Sequence, residues 1–166
     1  MLPPAMPSPE NPTGAKAPPG ARPPDSKTPL ATVTCRREFS AAHVLASPSL
    51  DEAENRRLYG PCADLHGHNY RLEVSIRGPI DPATGMVVNF SEVFEAISRE
   101  ILVPCDHKNL NADVPFLAGI ITTAENLAER FWSILEPHVA ALPGCQLTRI
   151  RLHETSDTTV DYRGPS

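Results

Sequence analysis

Apolar and polar positions alternate along three parts of the chain. Over residues 32–43, Val33, Cys35, Phe39, Ala41 and His43 share one parity, and Thr34, Arg36, Glu38 and Ser40 share the other. This predicts a half-buried strand, with Arg37 standing out on the apolar side. A stronger alternation follows over residues 66–76, where His66, His68, Tyr70, Leu72, Val74 and Ile76 fall together against Asn69, Arg71, Glu73 and Ser75. Side chains two apart on a strand share a face, so His66 and His68 stand at the entry end of the apolar face. Between these strands, the charged run Asp51-Glu52-Ala53-Glu54-Asn55-Arg56-Arg57 predicts a solvated loop with room for a helical turn.

The period then changes to that of helices. Asn89 with Glu92 reads as a cap, Val93, Phe94, Ile97, Ile101 and Leu102 follow at helical spacing, and Pro104 predicts the stop. Thr122 with Glu125 reads as a capping box for a second helix, striped by Ala124, Leu127, Ala128, Phe131, Trp132 and Leu135 and ended by Pro137. Residues 146–154 alternate again, and residues 158–162 form a final strand across Ser156-Asp157. Strand, strand, helix, helix, strand, strand predicts an α+β domain: a four-stranded antiparallel sheet with both helices on one face.

Composition divides the chain of 166 residues. Ten of its nineteen prolines precede Leu30, among few large apolar residues, so residues 1–30 are expected to be a disordered Pro-rich tail and residues 31–164 the domain. No stretch approaches the length of a membrane span, so no membrane partner is expected. A net charge of −5 argues against a nucleic-acid partner, while leaving room for a small phosphorylated substrate. Cys35, Cys62, Cys105 and Cys145, with no secretory signal, read as thiols of a reducing, cytoplasmic compartment.

Chemistry concentrates around His-Gly-His. If the first two strands pair so that His43 faces the motif, then His43, His66 and His68 make a three-histidine site with an open fourth position, a common form of catalytic zinc. Cys62 is either a fourth ligand closing that site or, standing off it, a base or nucleophile. Asp106-His107 reads either as a carboxylate–imidazole relay or as a helix C-terminal histidine on the dipole. Glu154 prolongs an apolar strand face as an acid, which asks for a hydrogen-bond donor opposite it.

Five ordered blocks carry a resemblance: Phe39-Ser40-Ala41-Ala42-His43, Cys62-x-x-x-His66-Gly67-His68-Asn69, Asp106-His107-Lys108-Asn109-Leu110-Asn111, Thr122-Thr123-Ala124-Glu125-Asn126, and Glu154-Thr155. Together they resemble the 6-pyruvoyl-tetrahydropterin synthase superfamily. The three-residue gap between Cys62 and His66 and the ending Tyr162-Arg163-Gly164 resemble its bacterial 6-carboxytetrahydropterin synthase branch, of the queuosine pathway. The resemblance implies the tunnelling fold, with sheets joined across subunits into a barrel, commonly a homo-hexamer with active sites at subunit interfaces. It implies Zn2+ on His43, His66 and His68, Cys62 as general base, Asp106 and His107 as its relay, and Glu154 as the anchor of the pterin ring. Thr122, Thr123 and Glu125 are implied substrate contacts. The implied reaction converts 7,8-dihydroneopterin triphosphate to 6-carboxytetrahydropterin, acetaldehyde and triphosphate. The pyruvoyl-forming relative and a non-catalytic zinc-stabilised module are the alternatives. Asn89-Phe90 departs from the Asp-Phe frequent in relatives.

Overall fold

The computed structural model describes residues 28–165; the expected tail lies almost wholly outside the described residues. Two long strands form the spine: β1 (Leu30–His43) and β2 (His66–Pro79) pair antiparallel along their full length. Between them sits α1 (Glu52–Tyr59), a full helix where a loop was expected. The Asp51 carboxylate accepts from the Glu54 N–H and Glu54 reaches back to the Asp51 N–H, so a capping box starts it. None of its residues is buried, which is why no apolar period announced it.

The remaining elements are α2 (Phe90–Ile97), a π-turn (Ser98–Leu102), α3 (Val103–Cys105), β3 (Lys108–Asn109), α4 (Ala124–Ala140), β4 (Gln146–His153) and β5 (Thr159–Tyr162). Among the described residues the sheet has five strands in the order β3-β1-β2-β4-β5, and β3 runs parallel to β1 over Ala41 and Ala42 alone. The fully antiparallel four-stranded sheet expected is thus corrected by one two-residue strand, too short to leave a periodic signature. Outside β3, residues 30–39 of β1 have no strand partner on their outer side among the described residues.

Both prolines expected to stop helices lie inside them. Pro104 would press on the carbonyl of Glu100, and the chain widens there, with the Val103 N–H bonding Ser98 O five residues back. α4 continues past Pro137 for one turn, held by buried Val139. Its cap is Thr123, which accepts from the Asn126 N–H, and not Thr122.

One face of the sheet carries the core. Tyr70, Leu72, Val74 and Ile76 of β2 and Ile150 and Leu152 of β4 meet Leu127, Phe131 and Leu135 of α4. Each such aliphatic burial contributes about 2 kcal/mol. The misplaced Arg37 lays its guanidinium 3.4 Å from the centre of the Phe94 ring, so its charge is spread on an aromatic face. On the opposite face, Glu73 and Ser75 are also buried, among Arg36, Arg149 and His153. No helix among the described residues is long and apolar enough to cross a membrane.

Candidate metal centre

Strand register builds the histidine group. His43 lies directly opposite His66, and Ala41 opposite His68, so all three imidazoles rise from one face at one end of the β1–β2 ladder. Ring centres are 4.5 Å apart for His43–His66, 4.9 Å for His66–His68 and 5.2 Å for His43–His68. Gly67 between them lets the strands approach closely, since a Cβ there would lie 3.2 Å from the Ala41 carbonyl oxygen, a tight contact against backbone.

Hydrogen bonds to backbone carbonyls orient two of the rings. His43 Nδ1 donates to Thr122 O at 2.9 Å, and His66 Nδ1 donates to Asp64 O at 2.8 Å. With Nδ1 protonated, the lone pair of each ring sits on Nε2. Among the described residues the Nε2 atoms of His66 and His68 are buried without a hydrogen-bond partner, an arrangement that is costly for ordinary polar atoms. One ligand atom from each of the three residues lies within 4.8 Å of the other two. Three clustered imidazoles, two of them with buried Nε2 atoms that have no hydrogen-bond partner among the described residues, fit a metal ion, and this all-nitrogen donor set suits zinc.

The electrostatics favour the uncharged form of His43 and His68, the form a metal needs. Burial lowers the His43 imidazole from 6.5 to about 4; the Thr122 carbonyl opposes this and His66 and His68 add to it. Burial also lowers His68, partly offset by Glu154. Glu154, just past β4, puts Oε1 3.8 Å from His43 Nε2 and 3.9 Å from His68 Nε2. Tyr70, fully buried, sets its hydroxyl against the His43 ring, 3.3 Å from Nε2.

The remaining candidate residues divide between the centre and the sheet edge. Cys62 is half-buried in a 3-10 turn (Gly60–Ala63), its carbonyl accepting from the Leu45 N–H at 2.8 Å. Asp106 and His107 lie beside β3 at the sheet edge. Asp106 Oδ1 accepts from the Ser40 N–H at 2.8 Å, which with the neighbouring imidazole holds its carboxyl below the usual range. His107 pairs with Asp106 Oδ2 at 3.0 Å, adopts a left-handed φ of 57° and leaves its side chain 82% exposed. Among the described residues, no hydrogen bond joins either to Cys62. Thr122 is buried, and its hydroxyl is engaged with Asn111 and the Val44 carbonyl. Thr123 caps α4, and Glu125 is an exposed residue of its first turn. Cys105 is fully buried and pushed up to about 12 by that burial.

Sequence reasoning missed the two carbonyl partners of the imidazoles, since a backbone atom has no letter. It also missed Asn111 as a strut. Its amide binds both the N–H and the carbonyl of Val44, the residue after His43. Asn111 did stand within one of the matched blocks.

A profile of the 6-pyruvoyl tetrahydropterin synthase family matches residues 32–165. The chain is 45% identical over 134 residues to a Poecilia reticulata protein named 6-pyruvoyl tetrahydrobiopterin synthase, covering 80% of this chain and 89% of that one. A solved structure of the Caenorhabditis elegans 6-pyruvoyl tetrahydropterin synthase superposes with a TM-score of 0.77 at 34% identity, covering 83% of this chain and 98% of that one. An Archaeoglobus fulgidus protein provisionally named a 6-carboxy-5,6,7,8-tetrahydropterin synthase is 30% identical over 125 residues, 75% of this chain and 89% of that one. The leaning toward the carboxy branch, drawn from the three-residue gap between Cys62 and His66 and from the ending Tyr162-Arg163-Gly164, therefore runs against the whole-chain similarity. Sequence, fold and histidine geometry agree that the chain belongs to the 6-pyruvoyl tetrahydropterin synthase family.

Proposed function

We propose that the protein is a lyase acting on 7,8-dihydroneopterin triphosphate, eliminating triphosphate to form 6-pyruvoyl-tetrahydropterin. The observation that carries this reading is the convergence of ligand atoms from three imidazoles, with the Nε2 atoms of His43 and His68 beside Glu154, in a chain 45% identical to a pyruvoyl-type relative. His43, His66 and His68 would hold zinc, which when bound supplies a Lewis acid to polarise a side-chain hydroxyl of the substrate. Glu154 accepts hydrogen bonds from the amino and ring N–H groups of the pterin and so fixes its orientation. Cys62 takes a proton from the substrate side chain, and Asp106 and His107 exchange protons with it. That pair stands at the open edge of the sheet, which suits a homo-oligomer, expected to be a hexamer, in which one copy's edge faces another copy's centre. Thr122 serves through its carbonyl on His43, while Thr123 and Glu125 frame the start of α4 beside it.

Incubation of the purified, zinc-loaded protein with the triphosphate substrate tests the reading. Release of triphosphate with a 6-pyruvoyl product is expected. Acetaldehyde and 6-carboxytetrahydropterin would instead establish the second reading, the one favoured by the three-residue gap between Cys62 and His66. Zinc binding with no turnover would leave only a zinc-stabilised binding module.

A further inference from the structure

The helix α1 has no evident reason to exist in packing terms. It buries no residue, and its Leu58 is 62% exposed. Its inward bonds go elsewhere. The Asn55 amide donates to the carbonyls of Ser47 and Leu50, which tethers the helix to the loop that follows β1. Arg56 forks onto Asp64, with Nη1 3.0 Å from Oδ2 and Nη2 2.9 Å from Oδ1. This is the bidentate geometry in which a guanidinium fixes a carboxylate's direction as well as its place.

Asp64 matters because of what its backbone does. Its carbonyl receives His66 Nδ1, and its N–H returns to Pro61 O at 3.2 Å. The strap from Cys62 to His66 is only three residues long: Ala63, Asp64 and Leu65. None of these is buried, and Leu65 is 63% exposed, so core packing does not set the strap's path. Hydrogen bonds do: the Leu45 N–H on the Cys62 carbonyl at one end, the Asp64 N–H on Pro61 O within it, and the Arg56 fork on Asp64, whose carbonyl holds His66, at the other.

We propose that α1 is a clamp, in which the Arg56–Asp64 fork sets the strap and thereby the orientation of the His66 imidazole and the standing of Cys62 beside it. Arg56 is a positioning residue that touches neither substrate nor metal. The proposal rests on the metal reading of the three histidines, and it adds a residue and a salt dependence to that reading. An exposed ion pair weakens as counterions screen it, so the clamp loosens with ionic strength while the histidines themselves do not change.

The test compares the wild type with Arg56→Gln, Arg56→Lys and the charge-swapped pair Arg56→Glu with Asp64→Arg. Zinc affinity is measured by competition with a chromophoric chelator, and ligand-field geometry by the visible spectrum of the Co2+ form. At low salt, Arg56→Gln is expected to bind zinc several-fold to about tenfold more weakly, the lower end of the effect of removing support around a ligand. Arg56→Lys, lacking the fork, should fall between, and the swapped pair should recover most of the loss. Raising salt from about 0.05 to about 0.5 M should bring wild type toward Arg56→Gln. The thermal midpoint should hardly move, because α1 contributes nothing to the core. Equal affinity and an identical Co2+ spectrum in wild type and Arg56→Gln at low salt would overturn the clamp. Should the wild type take no metal, the histidine reading falls, and amide exchange at Leu45 and Asp64 then decides the clamp alone. Faster exchange in Arg56→Gln upholds it, and unchanged exchange overturns it.

Discussion

The depressed His43 imidazole makes a quantitative prediction for the metal-free protein. In the folded chain its burial holds it at about 4, against 6.5 when exposed. Between those values the unfolded chain takes up a proton that the folded chain refuses. Stability is therefore intact above pH 6.5 and is lost as pH falls toward 4. The full displacement corresponds to about 3 kcal/mol, of which about 2.5 is spent by about pH 4.5. Carboxylates and His68 also respond in this range, so the measurement must be differential. His43→Asn removes the titrating ring and keeps an amide N–H for the Thr122 carbonyl. Urea unfolding of chelator-treated wild type and variant, at fixed protein concentration and several pH values between about 7 and about 4.5, gives the two pH profiles. The wild type should lose about 2–3 kcal/mol more than the variant over that range. Parallel profiles would refute the reasoning, by showing that the buried ring either charges without penalty or is solvated.

Other outcomes follow from single contacts. Cys62→Ala should retain zinc and lose turnover if Cys62 acts as a base; loss of zinc from that variant, measured by metal analysis, would make it a ligand instead. Gly78→Ala would place a Cβ 2.6 Å from Cys145 Sγ and 3.0 Å from Val87 Cγ1, and should cost about 1–3 kcal/mol in chemical denaturation, partly relieved by Cys145→Ala. Thr123→Ala should destabilise by about 1 kcal/mol through loss of the α4 cap, whereas an unchanged denaturation midpoint would return the capping role to Thr122.

Several features were legible in the letters because burial imposes a period. The parity of Val33 through His43 and of His66 through Ile76 anticipated which face of each strand carries the apolar core, and with it the meeting of three histidines, but not the burial of Glu73 and Ser75 on the other face. Features that bury nothing, or that span too few residues, left no such trace. α1 satisfies its ends through Asp51 and Glu54 without an apolar stripe, and β3 is only Lys108 and Asn109. The two prolines misled because a π-turn and one well-packed final turn absorb what a proline removes. The cap was displaced by one residue because either threonine could serve, and Thr122 is committed to Val44, Asn111 and His43. Asp106 and His107 were named as partners of Cys62, but a sequence does not say whether partners lie in one copy or two. Branch identity rested on the length of one strap and on the three-residue ending Tyr162-Arg163-Gly164, which together are a weaker guide than agreement spread over 134 residues.

Among the described residues, the outer side of β1 along residues 30–39 pairs with no strand. A strand edge of that length, with backbone donors and acceptors facing outward, is a template for pairing with any extended chain. If the sheet is closed by other copies of the protein, substitutions that weaken assembly will rarely yield a tidy soluble monomer. They will leave sticky edges, and their first symptom will be precipitation or poor yield. Light scattering of such variants will then report on assembly sooner than catalytic assays do.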